Sequence, residues 1–311
     1  MKVLVTGCAG FIGSHLCERL LAEGHEVMGI DNLSGNYCSK WPIDNMAGFI
    51  DNPKFFWDQE DILNLKEFPD VDCVFHLAAV PGVRDSWGEN FERYLNNNIL
   101  VTQRLLEHYA RNRGNCKQFI FASSSSVYGC QYPLPAYESV YLYPCSPYGV
   151  SKLACEHLCE AYSFAHHLPI RILRFFSVYG PRQRPDMCIN RFVRGIICEE
   201  AIRIYEGICE RDFTYIDDVI NACDLIMNHS GDYVVYNVGT GKKTSLFDLV
   251  HIIENATGKK AKEQQGPFEE YIISDVRITQ ADISRIQGLG YNPKTTIEEG
   301  VKKYVEWVKS K

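Results

Sequence analysis

No apolar run in this chain reaches the length of a membrane span, which excludes a protein threaded through a bilayer as helices. Nor is there an excess of positive charge. Its 32 lysines and arginines face 39 acidic residues, a net charge of −7, so nothing electrostatic favours a nucleic-acid partner. The 13 cysteines include no C-x-x-C pair and no repeated His/Cys spacing, so no zinc site is expected and no metal is assigned. They are scattered and odd in number, and Cys73, Cys155 and Cys223 fall on apolar positions. Reduced thiols filling a core are expected rather than a disulfide framework, and no chemistry is assigned to them. Low-complexity segments and internal repeats are also missing. The opening MKVLVTG reads as a strand with no export h-region, so a cytoplasmic protein is expected, with no membrane partner.

What is present is a β-α alternation. At 311 residues and 46% hydrophobic content, the chain can build one large unit or two domains. Strands are read at 2–7, 26–31, 54–61, 72–79, 117–124, 170–176 and 233–239. A helix is read at 12–23, closed by Gly24, and a polar helix at 89–113. Apolar runs this continuous suit strands covered on both faces, and the alternation implies an α/β fold of the Rossmann type. It is a doubly wound parallel sheet with a smaller C-terminal substrate-binding lobe. After residue 177 the pattern gives way to loops and Pro/Gly clusters. Residues 1–176, with 212–240 returning, are assigned to the nucleotide-binding domain, and 177–211 with 241–311 to the lobe. Ligands of such sheets gather at the carboxyl ends of the strands.

That end is marked by TGCAGFIGSHL, which sets Gly7, Gly10 and Gly13 between the first strand and the first helix. Glycines there allow a tight turn and let backbone N–H groups, with Phe11 and Ile12 opening the helix, approach a pyrophosphate. About twenty residues on, Asp31 ends the second strand, where a carboxylate accepts from an adenosine ribose and repels a 2′-phosphate; NAD is expected over NADP. Asn32 follows it. Asp61, with Ile62, ends the third strand and is placed beside the adenine, with a turn cap as the alternative for Asp61.

SPYGVSKLACEHL puts Tyr148 and Lys152 on one helix face, four residues apart, straight after Pro147 at the first helical position. Alone, that spacing also describes a surface phenol beside a solvated ammonium. The surroundings decide. TGCAGFIGSHL, DN at 31–32, DI at 61–62, FHLAA at 75–79, ASSSSVYG at 122–129, YGVSK at 148–152, RFFSVYGPRQRPDM at 174–187 and RDFTYIDD at 211–218 span the chain in one order. In that set the chain resembles the extended short-chain dehydrogenase/reductase family, and within it the NAD-dependent nucleotide-sugar 4-epimerases and dehydratases. The resemblance implies that Tyr148 is the catalytic base and that Lys152 lowers its pKa while holding the nicotinamide ribose. Ser124 would hydrogen-bond the sugar oxygen. A free phenol near pKa 10 is a poor base at neutral pH, and nearby cations favour its ionised form. Backbone around His76, Leu77, Ala78 and Ala79 would line the cofactor, steadied by Asn98.

Dehydratases of this family resemble T-D-E-V-Y-G, with an acid/base carboxylate pair, and nucleotide-sugar decarboxylases carry a glutamate just before V-Y-G. Ser125 and Ser126 stand here instead, and serines supply no general acid of moderate pKa. Reversible oxidation at C4 of a UDP-sugar remains, with no net redox change. HLAAVPGVRDSWGENF, FASSSSVYG and RFFSVYGPRQRPDM look most like the UDP-glucuronate 4-epimerases. By that likeness Ser125, Ser126, Ser177 and Arg184 surround the C5 carboxylate, and Arg84 joins the substrate side. Several donors and a cation suit a carboxylate; a surface charge in a Pro-rich loop is the alternative for Arg184. Arg211 matches the diphosphate arginine, Asp275 the uridine-ribose position, and Arg191 is a further phosphate candidate. Ser177 replaces the asparagine of galactose-type epimerases, and Ile272 replaces a familiar phosphate arginine. A UDP-glucose/UDP-galactose or N-acetylhexosamine 4-epimerase is the alternative, ahead of a decarboxylase or dehydratase. The resemblance also implies a homodimer through helices at 89–113 and 148–168.

Overall fold

The computed structural model describes residues 1–34, 40–112, 116–130, 133–205, 209–229, 231–266 and 276–311. Chain order begins β1 (Lys2–Thr6), α1 (Phe11–Ala22), β2 (Glu26–Ile30), α2 (Lys40–Met46), β3 (Phe55–Asp58) and β4 (Cys73–His76). Next come α3 (Phe91–Tyr94), α4 (Val101–Arg111), β5 (Gln118–Ser124), α5 (Pro147–His166), β6 (Ile170–Phe175), β7 (Ser177–Tyr179) and α6 (Cys188–Cys198). The chain continues through β8 (Ala201–Tyr205), β9 (Glu210–Arg211), β10 (Phe213–Tyr215), α7 (Ile216–Met227), β11 (Val234–Val238) and β12 (Thr244–Ser245). It closes with α8 (Leu246–Thr257), β13 (Lys262–Gly266), α9 (Ser284–Gln287) and α10 (Ile297–Lys309).

Seven strands form one parallel sheet in the order β11-β6-β5-β4-β1-β2-β3. The order reverses between β1 and β4, which opens a crevice beyond Thr6 and His76, the place where such sheets bind ligands. Side chains alternate across the sheet as the strand period demands. Val3 and Val5 join the core shared with α1, α7 and α8, while Leu4, Phe119, Phe121, Ile170 and Ile172 join the core shared with α4 and α5. All seven expected strands are present; six are shorter at their carboxyl ends, and β5 ends at Ser124 as read. β4 stops at His76 because the chain leaves the ladder to form the loop over the crevice. The remaining strands pair outside the main sheet: β7 with β10, β9 with β12, and β8 with β13. Among the described residues no helix is long and apolar enough to cross a membrane.

The polar helix read at 89–113 is not continuous α-helix. Between α3 and α4 the backbone widens into a π-helical stretch, Leu95–Leu100. Such insertions recur at functional sites. Here the insertion carries Asn98, whose side chain is buried.

One cysteine expectation needs correction. Ten of the described cysteines are free, six of them buried, but Cys130 and Cys145 form a disulfide; Cys38 lies outside the described residues. The loop between them folds back so that Gly129 bridges to Tyr143, and the two Cα atoms lie 6.2 Å apart. A contact made by a returning loop leaves no mark in cysteine spacing.

The helix α5 is fastened by charge. Arg174 on β6 donates to Glu156 through Nε (2.9 Å) and Nη2 (2.7 Å), and both side chains are 3% exposed. Ser123 also donates to Glu156, and Arg174 reaches Tyr128 Oη and the Glu138 carbonyl, both at 3.0 Å. Burial opposes the Arg174 charge, but the Glu156 carboxylate and Tyr128 more than offset it, so the guanidinium stays ionised. Breaking one partner of a buried pair strands the other charge, at a cost of roughly 3–5 kcal/mol. Glu156→Gln is therefore expected to lower unfolding stability by about that amount. A urea midpoint unchanged from wild type would rule out this role.

Candidate active site

The glycine loop is built by steric necessity. Gly7 has φ +73°, and a Cβ there would lie 2.9 Å from the Ala78 backbone nitrogen. At Gly13 a Cβ would come within 2.0 Å of the Gly7 carbonyl oxygen, so α1 packs onto the turn only without a side chain. Gly10 caps α1, its N–H donating to that same carbonyl at 3.0 Å, and the first turn holding Phe11, Ile12 and Gly13 carries no acidic residue. The bare cradle and the helix N-terminus fit a dinucleotide pyrophosphate.

Asp31 sits beyond β2 and already has work to do. Its carboxylate accepts from the Ala9 N–H at 3.0 Å and the Leu33 N–H at 2.8 Å. Burial raises its pKa, opposed by those two donors. Asn32 donates to Asp61 at 3.0 Å, and Asp61 also accepts from Leu63 N–H at 2.8 Å, as a turn cap does. The Ile62 side chain is buried in the core on the α4/α5 side of the sheet.

Across the crevice, Leu77, Ala78 and Ala79 follow β4. Asn98 clamps this loop: it accepts from Val80 N–H (2.8 Å) and donates to the Val80 carbonyl (3.1 Å) and to Ser151 Oγ on α5 (3.0 Å). His76 is enclosed, with Nδ1 2.8 Å from Thr6 Oγ1 and Nε2 3.0 Å from Thr102 Oγ1. Tyr94 is a residue that sequence reasoning missed. Its hydroxyl donates to the Gly82 carbonyl at 3.0 Å, and its ring meets that of Tyr148 edge-on at 6.2 Å.

The reactive pair stands at the start of α5. Ser146 caps the helix by accepting from Gly149 N–H at 3.1 Å, and Pro147 occupies the first turn, as the sequence pattern predicts. Gly149 lets that turn seat against the serine turn at 125–127: a Cβ there would lie 2.6 Å from the Ser126 carbonyl oxygen. Ser124 donates to Ser126 Oγ and accepts from Ser126 N–H, both at 3.1 Å. Burial raises the Tyr148 pKa above its ordinary value, while the neighbouring Ser124 side chain and the Arg184 charge act to lower it. Lys152, itself depressed by burial, donates to the Ala122 carbonyl at 2.8 Å. Arg184 is thus one cation that acts on Tyr148.

Ser124 and Arg184 therefore act on the phenol, and Ser125 and Ser126 lie in the adjoining turn. Ser177 opens β7 beside Asp212, with its N–H on the Asp212 carbonyl at 3.0 Å. Arg184 also engages Asp186 with both Nε (2.9 Å) and Nη2 (2.6 Å). Arg191 is exposed on α6, and Arg84 is exposed on a short 3-10 turn. Arg211 on β9 donates to the Arg277 carbonyl at 2.8 Å, which puts these two arginines on one edge. Asp275 lies outside the described residues. Asp212, also missed, anchors this edge: its buried carboxylate accepts from Thr240 N–H, Thr240 Oγ1, Gly241 N–H and Ala281 N–H at 2.7–3.1 Å.

Burial, with Lys152 nearby, holds His76 down to about 3, and burial with Arg182 holds His15 down to about 4. An unfolded histidine takes its proton near 6.5, so below that pH the unfolded chain binds more protons than the native one. Stability should be full above pH 6.5 and fall as the pH drops toward 4, by up to about 1.4 kcal/mol per unit for each histidine. Urea midpoints at pH 7, 6 and 5 should flatten in His76→Gln; an unaltered slope removes His76 as a cause.

Comparison with known proteins supplies a context for this geometry. A profile described as the NAD dependent epimerase/dehydratase family matches residues 3–239. A UDP-glucuronate 4-epimerase of Thermodesulfobacterium geofontis is 40% identical, over 98% of this chain and 95% of its own. The crystal structure of UDP-glucuronic acid 4-epimerase from Bacillus cereus, with UDP-glucuronic acid and NAD, is 39% identical. It superposes with a TM-score of 0.94, over 100% of this chain and 99% of that one. The UDP-glucose 4-epimerase of Thermotoga maritima, with UDP-glucose, is 32% identical at a TM-score of 0.89, over 100% and 99% of the two chains.

Proposed function

The chain belongs to the NAD-dependent epimerase/dehydratase family, and from that premise we propose that it inverts C4 of a UDP-sugar, with UDP-glucuronate and UDP-galacturonate as the pair. The observation that carries this reading is the hydroxyl turn Ser124–Ser126 against Tyr148, with the Arg184 charge acting on the same phenol. A donor-rich cradle with a cation recognises a sugar carboxylate. It offers no carboxylate pair for eliminating water.

NAD is the cofactor and would supply, when bound, a hydride acceptor for C4 and a hydride donor to its opposite face. The residues do the rest. Tyr148 Oη accepts the proton of the 4-hydroxyl, and Ser124 holds that sugar oxygen by a hydrogen bond. Because burial alone raises the Tyr148 pKa, ionisation draws on positive charge at the site, from Arg184 and from the oxidised cofactor. The Lys152 ammonium carries three protons and gives one to the Ala122 carbonyl, which leaves donors for the nicotinamide ribose. Tyr148 then returns the proton to the inverted alcohol. The 4-keto uronic acid formed in between is a β-keto acid prone to lose CO₂. Ser125, Ser126, Ser177 and Arg184 would pin its carboxylate away from that geometry.

Gly7, Gly10 and Gly13 cradle the pyrophosphate, Asp31 receives the adenosine ribose, and Arg211 with Arg277 receives the diphosphate. We assign the cofactor to 1–176 with 212–240, and the nucleotide sugar to 177–211 with 241–311. Support comes from β11, which completes the main sheet, whereas β8, β9, β12 and β13 pair outside it; β10, within 212–240, pairs with β7 and marks the passage between the two. The reading extends to a homodimer through α3–α4 and α5, whose Leu95, Leu100, Val150 and Phe164 are exposed. Light scattering at the mass of one chain would end that part. A cytoplasmic setting suits the ten free thiols among the described cysteines, and the Cys130–Cys145 disulfide weighs against it.

A neutral-sugar epimerase is the second reading, favoured by the engagement of Arg184 with Asp186. Incubation with a panel of UDP-sugars, followed by NMR, separates them. UDP-glucuronate should give UDP-galacturonate with no pentose and no CO₂. Tyr148→Phe is expected to lose roughly 10²–10⁴-fold in rate. Arg184→Ala should cost the uronate about 10–100-fold more than UDP-glucose, which loses only the charge that Arg184 lends to Tyr148. Faster wild-type turnover of UDP-glucose than of UDP-glucuronate refutes the uronate assignment.

A further inference from the structure

Arg184 is held by its own chain. Its planar guanidinium presents Nε and Nη2 to the two oxygens of Asp186 at 2.9 and 2.6 Å, the fork geometry that any carboxylate favours. We propose that Asp186 is an internal rival for this fork, a carboxylate that an acidic sugar must displace, so that Asp186 sets how strongly the site prefers uronates over neutral sugars. This rests on the uronate reading of the site.

Exposure makes the exchange feasible in one direction. The Arg184 side chain is 20% exposed and that of Asp186 is 54% exposed. A displaced Asp186 carboxylate can turn into water, whereas Arg184 stays enclosed beside Tyr148 and Tyr94, where its charge is felt. Asp186 remains ionised to compete. Despite partial desolvation, the Arg184 guanidinium holds its carboxyl below the usual range, with Arg191 adding to the effect.

The segment around the pair does not have to move. Gln183 donates to the Val178 carbonyl at 3.1 Å and accepts on its own carbonyl from Asn190 at 3.0 Å. Arg182 pairs with Glu18 at 2.8 Å. With the backbone fixed on both sides, the exchange reduces to rotation of one short side chain. A sugar with a neutral C6 hydroxymethyl group has no carboxylate to offer, so it leaves the internal pair closed and gains nothing from opening it.

The test is calorimetric binding of UDP-glucuronate and UDP-glucose to the NAD-loaded Tyr148→Phe protein, which prevents turnover, with and without Asp186→Asn. Removing a half-exposed rival should tighten UDP-glucuronate about three- to fivefold and change UDP-glucose less than twofold. A gain below twofold for UDP-glucuronate, or equal gains for both sugars, overturns the proposal. Arg184→Ala in the same background separates the two ideas. If it weakens UDP-glucuronate while Asp186→Asn gains nothing, the uronate cradle stands and the rival falls. If it leaves both sugars unchanged, the uronate reading itself fails and takes the rival with it.

Discussion

The buried ion pair between Arg174 and Glu156 is the constraint on which the site depends. Glu156 lies one helical turn beyond Lys152 on α5, and Arg174 lies on the neighbouring strand β6. Their bidentate contact fixes the rotation and the height of the helix that presents Tyr148. Ser123, the residue before the reactive-site serine, shares the same carboxylate. The network also extends away from the chemistry. Tyr128 donates to Asn237 at 2.6 Å, Asn237 N–H meets Glu138 at 2.9 Å, and Asn237 Nδ2 reaches the Asp282 carbonyl at 3.0 Å. One buried polar system therefore ties α5 to β5, β6, β11 and the returning segment near 282. Satisfied networks of this kind rigidify a core and fix a single arrangement.

Within that frame, desolvation works against every charge the reaction needs. It raises Tyr148 toward the phenol and lowers Lys152 toward the amine. The protein thus supplies a preorganised position more than a pre-ionised base. Positive charge arriving with cofactor and held by Arg184 has a large effect in such a setting, because little water is present to screen it.

Features written in local sequence were legible. The glycine loop, the strand periods, Pro147 at the start of a helix, and the Tyr148/Lys152 spacing all follow from neighbours in the chain. What escaped was made by tertiary contact. The π-helical widening that delivers Asn98 to Val80 has no motif of its own. Tyr94 looks like an apolar helix residue until it meets Tyr148 and the Gly82 carbonyl. Asp212 stands beside the arginine that drew attention, yet its four donors come from residues 240, 241 and 281. Cys130 and Cys145 meet through a loop that folds back. Asp61 was legible only as a pair of alternatives, and the structure gives it a turn-capping contact together with a bond from Asn32.

Asp31 carries a consequence for engineering the coenzyme preference. The usual route toward a phosphorylated adenosine ribose removes this negative charge. Here the same carboxylate also fastens Ala9 in the glycine turn and Leu33 beyond β2. Exchanging it for a neutral or basic side chain would relieve repulsion and, in the same stroke, release the turn that must grip the pyrophosphate. Redirecting this scaffold would therefore take a second substitution that gives those two amides a new acceptor.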